Sequence, residues 1–129
     1  MPKYMLLIYG PTEGGGPAPE EMADHMQEWM AYTQSLEDAD VRVADHQLQG
    51  LETATTVRVR DGETQIIDGP FATTKEYLGG YYLIECEDLD TALAHAARCP
   101  IVTYGSVEVR PVVERDGSAA ASDPAQARA

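Results

Sequence analysis

Basic residues are scarce in this chain. Nine Lys and Arg stand against 22 Asp and Glu, which leaves a net charge of −13. Proteins that bind nucleic acids neutralise phosphates with a basic patch. None can be assembled here, so contact with DNA or RNA is excluded, and an anionic membrane surface is disfavoured for the same reason. Cysteine is nearly absent. Cys86 and Cys99 are too few and too far apart for a zinc site, and are expected to be buried, reduced thiols. The three histidines, His25, His46 and His95, show no His-x-His or His-x-x-x-His spacing, so neither a metal nor another cofactor is expected. No Gly-x-Ser-x-Gly elbow occurs, and neither cysteine has a base beside it in sequence, so covalent catalysis is disfavoured. Long apolar runs are missing too: none approaches the roughly 20 residues that span a bilayer. The first apolar stretch stops at Gly10-Pro11, too soon for a signal-peptide core, and a cytoplasmic location is the expectation.

What remains is an ordinary globular composition, 43% hydrophobic and 24% charged over 129 residues. It predicts one domain over residues 1–114 and a disordered tail over 115–129, where apolar mass runs out. Residues 3–9 are apolar on both alternating faces and read as a covered strand. "GPTEGGGPAP" is a loop; its glycines lack the Lys-Ser/Thr ending of a phosphate-binding loop. Pro19-Glu20-Glu21 opens a helix. Met22, Met26, Trp29, Met30, Thr33 and Leu36 share one stripe of it, with His25 and Tyr32 at the stripe's edge. Residues 41–48 and 53–60 read as strands. Asp61-Gly62 then links 53–60 to 63–68 as a type I′ hairpin. Residues 79–86 form the next strand. Asp88 caps a helix that Pro100 stops, and residues 106–112 form the last strand. The order is βαββαβ with an inserted hairpin: an α+β fold with helices on one face of an antiparallel sheet. The opposite sheet face would expose a contiguous apolar patch, which a homodimer stacking two sheets would cover.

"DGPFATTKE", residues 68–76, admits two readings. In the first it is a folding device. Asp68 accepts backbone N–H bonds in an Asx turn, Gly69 relieves steric limits before Pro70, and Phe71 plugs the core. Thr73 to Glu76 then fits a capping box, followed by a single helical turn ending at Gly79. In the second it is a site: a helix start with free N–H groups, Lys75 as a positive charge, and Asp68 as a general base.

The segments "LLIYG", "TATTVRVRDGE", "DGPFATTKEYLGGYYLIECEDLDTAL" and "GSVEVRPV" together resemble the DGPF branch of the YCII-related family. The resemblance covers residues 3 to about 113, and its DGPF-x-x-x-KE-x-LGG block is highly specific. It implies a ferredoxin-like fold of the dimeric α/β-barrel type. Some members of the family resemble enzymes acting on small aromatic rings, with a His/Asp pair in acid–base work. Many DGPF members resemble accessory proteins encoded beside extracytoplasmic-function sigma factors. The chain departs from the pattern in three places. Thr73 stands where the block usually has Glu, Asp45-His46 where Gly and an acid are usual, and Trp29 where a His is frequent.

Two functions follow as expectations. The first is a cofactor-free acid–base enzyme, of lyase, isomerase or cyclase type, acting on a small aromatic or apolar molecule. Asp68, His46 and Lys75 are its candidate catalytic residues, and Tyr9, Trp29, Phe71 and His25 its candidate ligand-binding residues. The second is a non-catalytic binding or regulatory module associated with sigma-factor signalling. His95, between two alanines on the second helix, is expected at the surface without a role.

Overall fold

The computed structural model describes residues 1–12, 14, 16–69 and 75–114. Phe71, Thr73 and the expected tail over 115–129 lie outside them. Six strands and two helices follow in the order β1 (Lys3–Pro11), α1 (Met22–Asp38), β2 (Arg42–Gln47), β3 (Thr55–Arg60), β4 (Glu63–Asp68), β5 (Glu76–Glu85), α2 (Leu89–Ala97) and β6 (Ser106–Pro111). Four strands form an antiparallel sheet in the order β2-β5-β1-β6, and β3 and β4 form a separate two-stranded sheet. This is the expected α+β arrangement, consistent with a ferredoxin-like fold carrying an inserted hairpin.

The alternation of β1 decides which way it faces. Tyr4, Leu6 and Ile8 are buried, while Met5, Leu7 and Tyr9 between them are half-buried. On β5 Tyr82 and Ile84 are buried, and so is Cys86 just beyond its end. These two rows meet Tyr32 and Leu36 of α1, Ala92 and Ala96 of α2, and Cys99 and Ile101 beyond α2 in one core. Both cysteines are buried free thiols. The other sheet face carries Met5, Leu7 and Leu83, with Leu7 opposite Tyr81 and Met5 opposite Leu83 in register.

Local chemistry accounts for the boundaries. Asp88 caps α2: its Oδ1 accepts the Thr91 N–H at 2.8 Å and the Thr91 hydroxyl at 2.7 Å. The β3–β4 turn has Asp61 at φ 54° and Gly62 at φ 77°, the two positive angles of a type I′ hairpin.

Two expectations need correction. Residues 76–79 are not a helical turn. Glu76 opens β5 opposite Pro11, and Tyr77 and Leu78 pair with Gly10 and Tyr9. The ladder with β1 supplies hydrogen-bond partners that a capping box would not. The methionine stripe of α1 is not core either. Met22, Met26 and Met30 are 44%, 52% and 69% exposed; of the expected stripe only Leu36 is buried, together with Tyr32 from its edge.

Candidate functional site

Helix α1 has residues four apart in three neighbouring rows, which is how a 3.6-residue turn sorts side chains. Tyr32 and Leu36 enter the core. His25, Trp29 and Thr33 form the next row, and Met22, Met26 and Met30 the outermost. The second and third rows form one wall of a cavity of about 510 Å³ between α1 and the sheet. Gly10, Gly80 and Tyr82 line it from the strands, Tyr104 and Ile101 from the segment after α2, and Asp45, His46 and Leu48 from the β2 side. That volume lies within the range of small-molecule pockets.

The polar centre of the cavity is His25, whose side chain is only 13% exposed. Its Nε2 receives the Trp29 indole N–H at 2.9 Å and lies 2.7 Å from the Tyr104 hydroxyl. Its Nδ1 is 3.8 Å from a carboxylate oxygen of Glu28, too long for a hydrogen bond but close enough for attraction. A 3₁₀ turn over Pro100–Thr103 brings Tyr104 to this point, with the N–H groups of Tyr104 and Gly105 both bonded to the Ile101 carbonyl, at 3.0 and 2.6 Å. Burial pushes the Tyr104 phenol up from its ordinary value, so it keeps its proton well into alkali.

Aromatic rings extend inward from that centre. Trp29 lies parallel to Tyr82, with centroids 6.4 Å apart, and edge-on to both His25 and Tyr32. The Tyr82 hydroxyl is 2.6 Å from the Thr33 hydroxyl, and burial raises its phenol as well, against the opposing effect of that bond. At the β2 edge, Asp45 pairs with Arg42 at 2.5 Å. Arg42 also reaches Glu37 at 3.1 Å.

The residues singled out from the sequence separate into two groups. His25, Trp29 and His46 line the cavity. His46 borders it at the β2 edge but is exposed, and its ring is turned to the other sheet face, where Nδ1 lies 2.7 Å from the Tyr81 hydroxyl. Tyr9 pairs with Leu78, while its neighbour Gly10 lines the cavity. Asp68 is exposed at the end of β4, opposite Thr55, and does not line the cavity. Lys75 is exposed, and its carbonyl accepts both the N–H and the hydroxyl of Thr12. Phe71 lies outside the described residues. Gly69 takes φ 104°, donates to the Ala54 carbonyl at 2.8 Å and accepts the Thr56 hydroxyl at 2.8 Å. The start of the DGPF block is thus fastened to the start of β3. His95 bonds Arg98 through Nδ1 on the surface of α2, and its carbonyl accepts the Tyr32 hydroxyl at 2.8 Å. Among the described residues, no three or more His, Cys, Asp and Glu are grouped to hold a metal ion. No helix among them is long and apolar enough to cross a membrane.

The sequence reading missed Tyr104, Tyr82 and Glu28. Tyr104 lies 79 positions from His25 and meets it only through the fold. Glu28 had a local signal, three residues after His25 on one helix.

A family model for the YCII-related domain matches residues 2–116. An uncharacterized protein of Rhizobium meliloti strain 1021 is 51% identical over 61 residues, a match covering 46% of this chain and 49% of that protein. The chain therefore aligns with about half the length of this curated relative. With nearly the whole described chain under one family model, the chain belongs to the YCII-related domain family.

Proposed function

We propose that the cavity between α1 and the sheet binds a small apolar or aromatic molecule and that the protein performs cofactor-free proton transfer on it. The supporting observation is the arrangement at His25: a sheltered imidazole whose Nε2 meets a tyrosine hydroxyl 2.7 Å away at the wall of an apolar, aromatic-lined cavity. An imidazole and a phenol in hydrogen-bond contact form a pair that can exchange a proton with a bound molecule. This reading moves the chemistry from Asp68, Lys75 and His46 to His25 and Tyr104; the His46 ring is turned to Tyr81, on the sheet face away from α1. We also propose membership of the DGPF branch, on the strength of the sequence block itself, in which Gly69 has a structural duty at the second residue.

The only tryptophan, Trp29, lines the cavity, so its fluorescence reports ligand entry during a screen of small molecules. For a molecule that is turned over, Tyr104→Phe lowers kcat by roughly 10²–10⁴-fold, the usual contribution of a positioned acid or base. Asp68→Asn leaves turnover intact. The opposite pattern, with Asp68→Asn inactive and Tyr104→Phe active, returns the chemistry to the hairpin.

A second reading, a regulatory module working beside a sigma factor, draws support from the β3–β4 hairpin. Val57, Val59 and Ile66 share one of its faces and are 62%, 58% and 69% exposed. Such a face suits a protein partner. Co-purification of the tagged chain with a sigma factor at near-equal amounts, undone by Val57→Lys, supports this reading.

A further inference from the structure

We propose that Trp29 sets the direction of a hydrogen-bond chain through His25 and Tyr104, so that the cavity takes a neutral molecule carrying an ionisable hydroxyl, a phenol or an enol, and withdraws its proton. This inference rests on the reading of the cavity as a small-molecule site.

The argument starts from what each group can do. An indole N–H only donates. It donates to Nε2 of His25 at 2.9 Å, so that nitrogen carries a lone pair and no proton. The neutral imidazole then bears its hydrogen on Nδ1, the side where a Glu28 oxygen lies 3.8 Å away. Tyr104, 2.7 Å from the same Nε2, can only donate there, its hydroxyl sharing the nitrogen's single lone pair with the indole N–H. With its hydrogen committed to His25, the phenol oxygen is left with lone pairs for the cavity, and the group it recognises in a ligand is a donor. Among the described residues, no Lys or Arg side chain lines the cavity. A ligand carboxylate would find no opposite charge, and a neutral donor is the better fit.

The proton step balances without a further reactant. The ligand O–H bond breaks and its proton bonds to the Tyr104 oxygen. The proton that Tyr104 held passes to Nε2 of His25. The ligand becomes an oxyanion and His25 an imidazolium whose Nδ1–H side faces Glu28. The Trp29 N–H then faces a protonated nitrogen and has lost its acceptor, which favours return of the proton to the ligand, at the same atom or at a conjugated one. Trp29 is a positioning residue; Tyr104 is the catalytic residue that touches the ligand.

The test uses the full chain labelled with ¹⁵N. Long-range correlation of the His25 ring nitrogens reads the tautomer directly. Phenol and anisole, which differ by the hydroxyl proton, are titrated against the indole N–H signal of the single tryptophan. The expected result is a bare Nε2 and a protonated Nδ1, with the tautomers mixing in Trp29→Phe. Phenol binds more tightly than anisole by roughly 2- to 10-fold, the span of one net hydrogen bond, and Tyr104→Phe removes the difference. A proton on Nε2 in the unaltered chain overturns the inference, as do equal affinities for the two probes or a Trp29→Phe chain that keeps the single tautomer. Failure of both probes to bind at millimolar concentration has a different meaning: it overturns the small-molecule reading, and the ligand class falls with it.

Discussion

Among the described residues, burial shifts the thiols and phenols of this protein in one direction. Cys99, 2% exposed, has its thiol pushed up to about 11 by burial, although a backbone bond with Ile101 opposes the shift. Burial likewise raises Tyr32, Tyr82 and Tyr104. In each case the fold favours the neutral form, so the folded group holds its proton where the unfolded one has released it. The stability they contribute is full below their ordinary values, 9.0 for the thiol and 10.0 for the phenols, and is lost as pH rises through the folded values. Chemical denaturation at a series of pH values should therefore show stability falling from about pH 9 upward. A midpoint that stays level through pH 11 contradicts it. The same burial protects the thiols. A disulfide-exchange reagent at neutral pH should label neither Cys86 nor Cys99 in the native protein, and both once it is unfolded. None of these environments is written beside the cysteines. What the sequence does carry is their setting, one in an alternating strand and one after a helix, which is why their burial could be expected and the tyrosine cluster around Cys99 could not.

Element boundaries were legible wherever a few adjacent residues decide them. Asp61-Gly62 makes its own turn, and Asp88 caps its own helix. The misread segments are those whose partners lie elsewhere in the chain. Glu76 to Gly79 extend β5 because β1 offers them a ladder. The methionines of α1 look like core by periodicity, yet Tyr32 and Leu36 take the core, and the helix leaves its next faces to the cavity. Of the site, His25 and Trp29 are legible by residue type. The sequence could not reveal Tyr104, which only the turn after Pro100 delivers. Two glycines test this division between local and distant causes. Gly69 has φ 104° with nothing near its missing Cβ, so Gly69→Ala strains only the backbone. About 1–2 kcal/mol should be lost, the cost of forcing an L-residue into that region. Gly80 has an ordinary φ, but a Cβ there would lie 2.7 Å from the His46 carbonyl oxygen and 3.2 Å from Gln47 Cα. Gly80→Ala must push β2 away from β5, with a loss of about 1–3 kcal/mol. It should also widen the cavity, whereas Gly69→Ala leaves it unchanged. Denaturant midpoints give the first comparison, and the Trp29 fluorescence maximum gives the second.

The molecule as a whole has two faces that differ in what covers them. Helices cover the sheet face carrying Tyr4, Leu6 and Ile8, whereas Met5, Leu7, Tyr81 and Leu83 on the other face are only half-buried. Beside them β6 turns polar in register, with Glu108 opposite Leu7 and Arg110 opposite Met5. An apolar centre bordered by charges has the form of a self-complementary interface, and a second copy of the same chain is the occupant we propose for it. Charge sets the conditions for the pairing. Each copy carries −13 into the complex, so long-range repulsion opposes what the apolar strip favours. Salt screens the first and leaves the second, because the Debye length shrinks from about 30 Å at 0.01 M to about 10 Å at 0.1 M. Sedimentation equilibrium should find a particle of twice 14.0 kDa whose dissociation constant falls as salt is raised. Leu7→Lys, at the centre of the strip, should leave a folded monomer at every salt concentration. A monomeric native chain, or a dimer indifferent to Leu7→Lys, would mean that the sheet face is not where two copies meet. The half-buried row on β1 would then have to find its cover within a single chain.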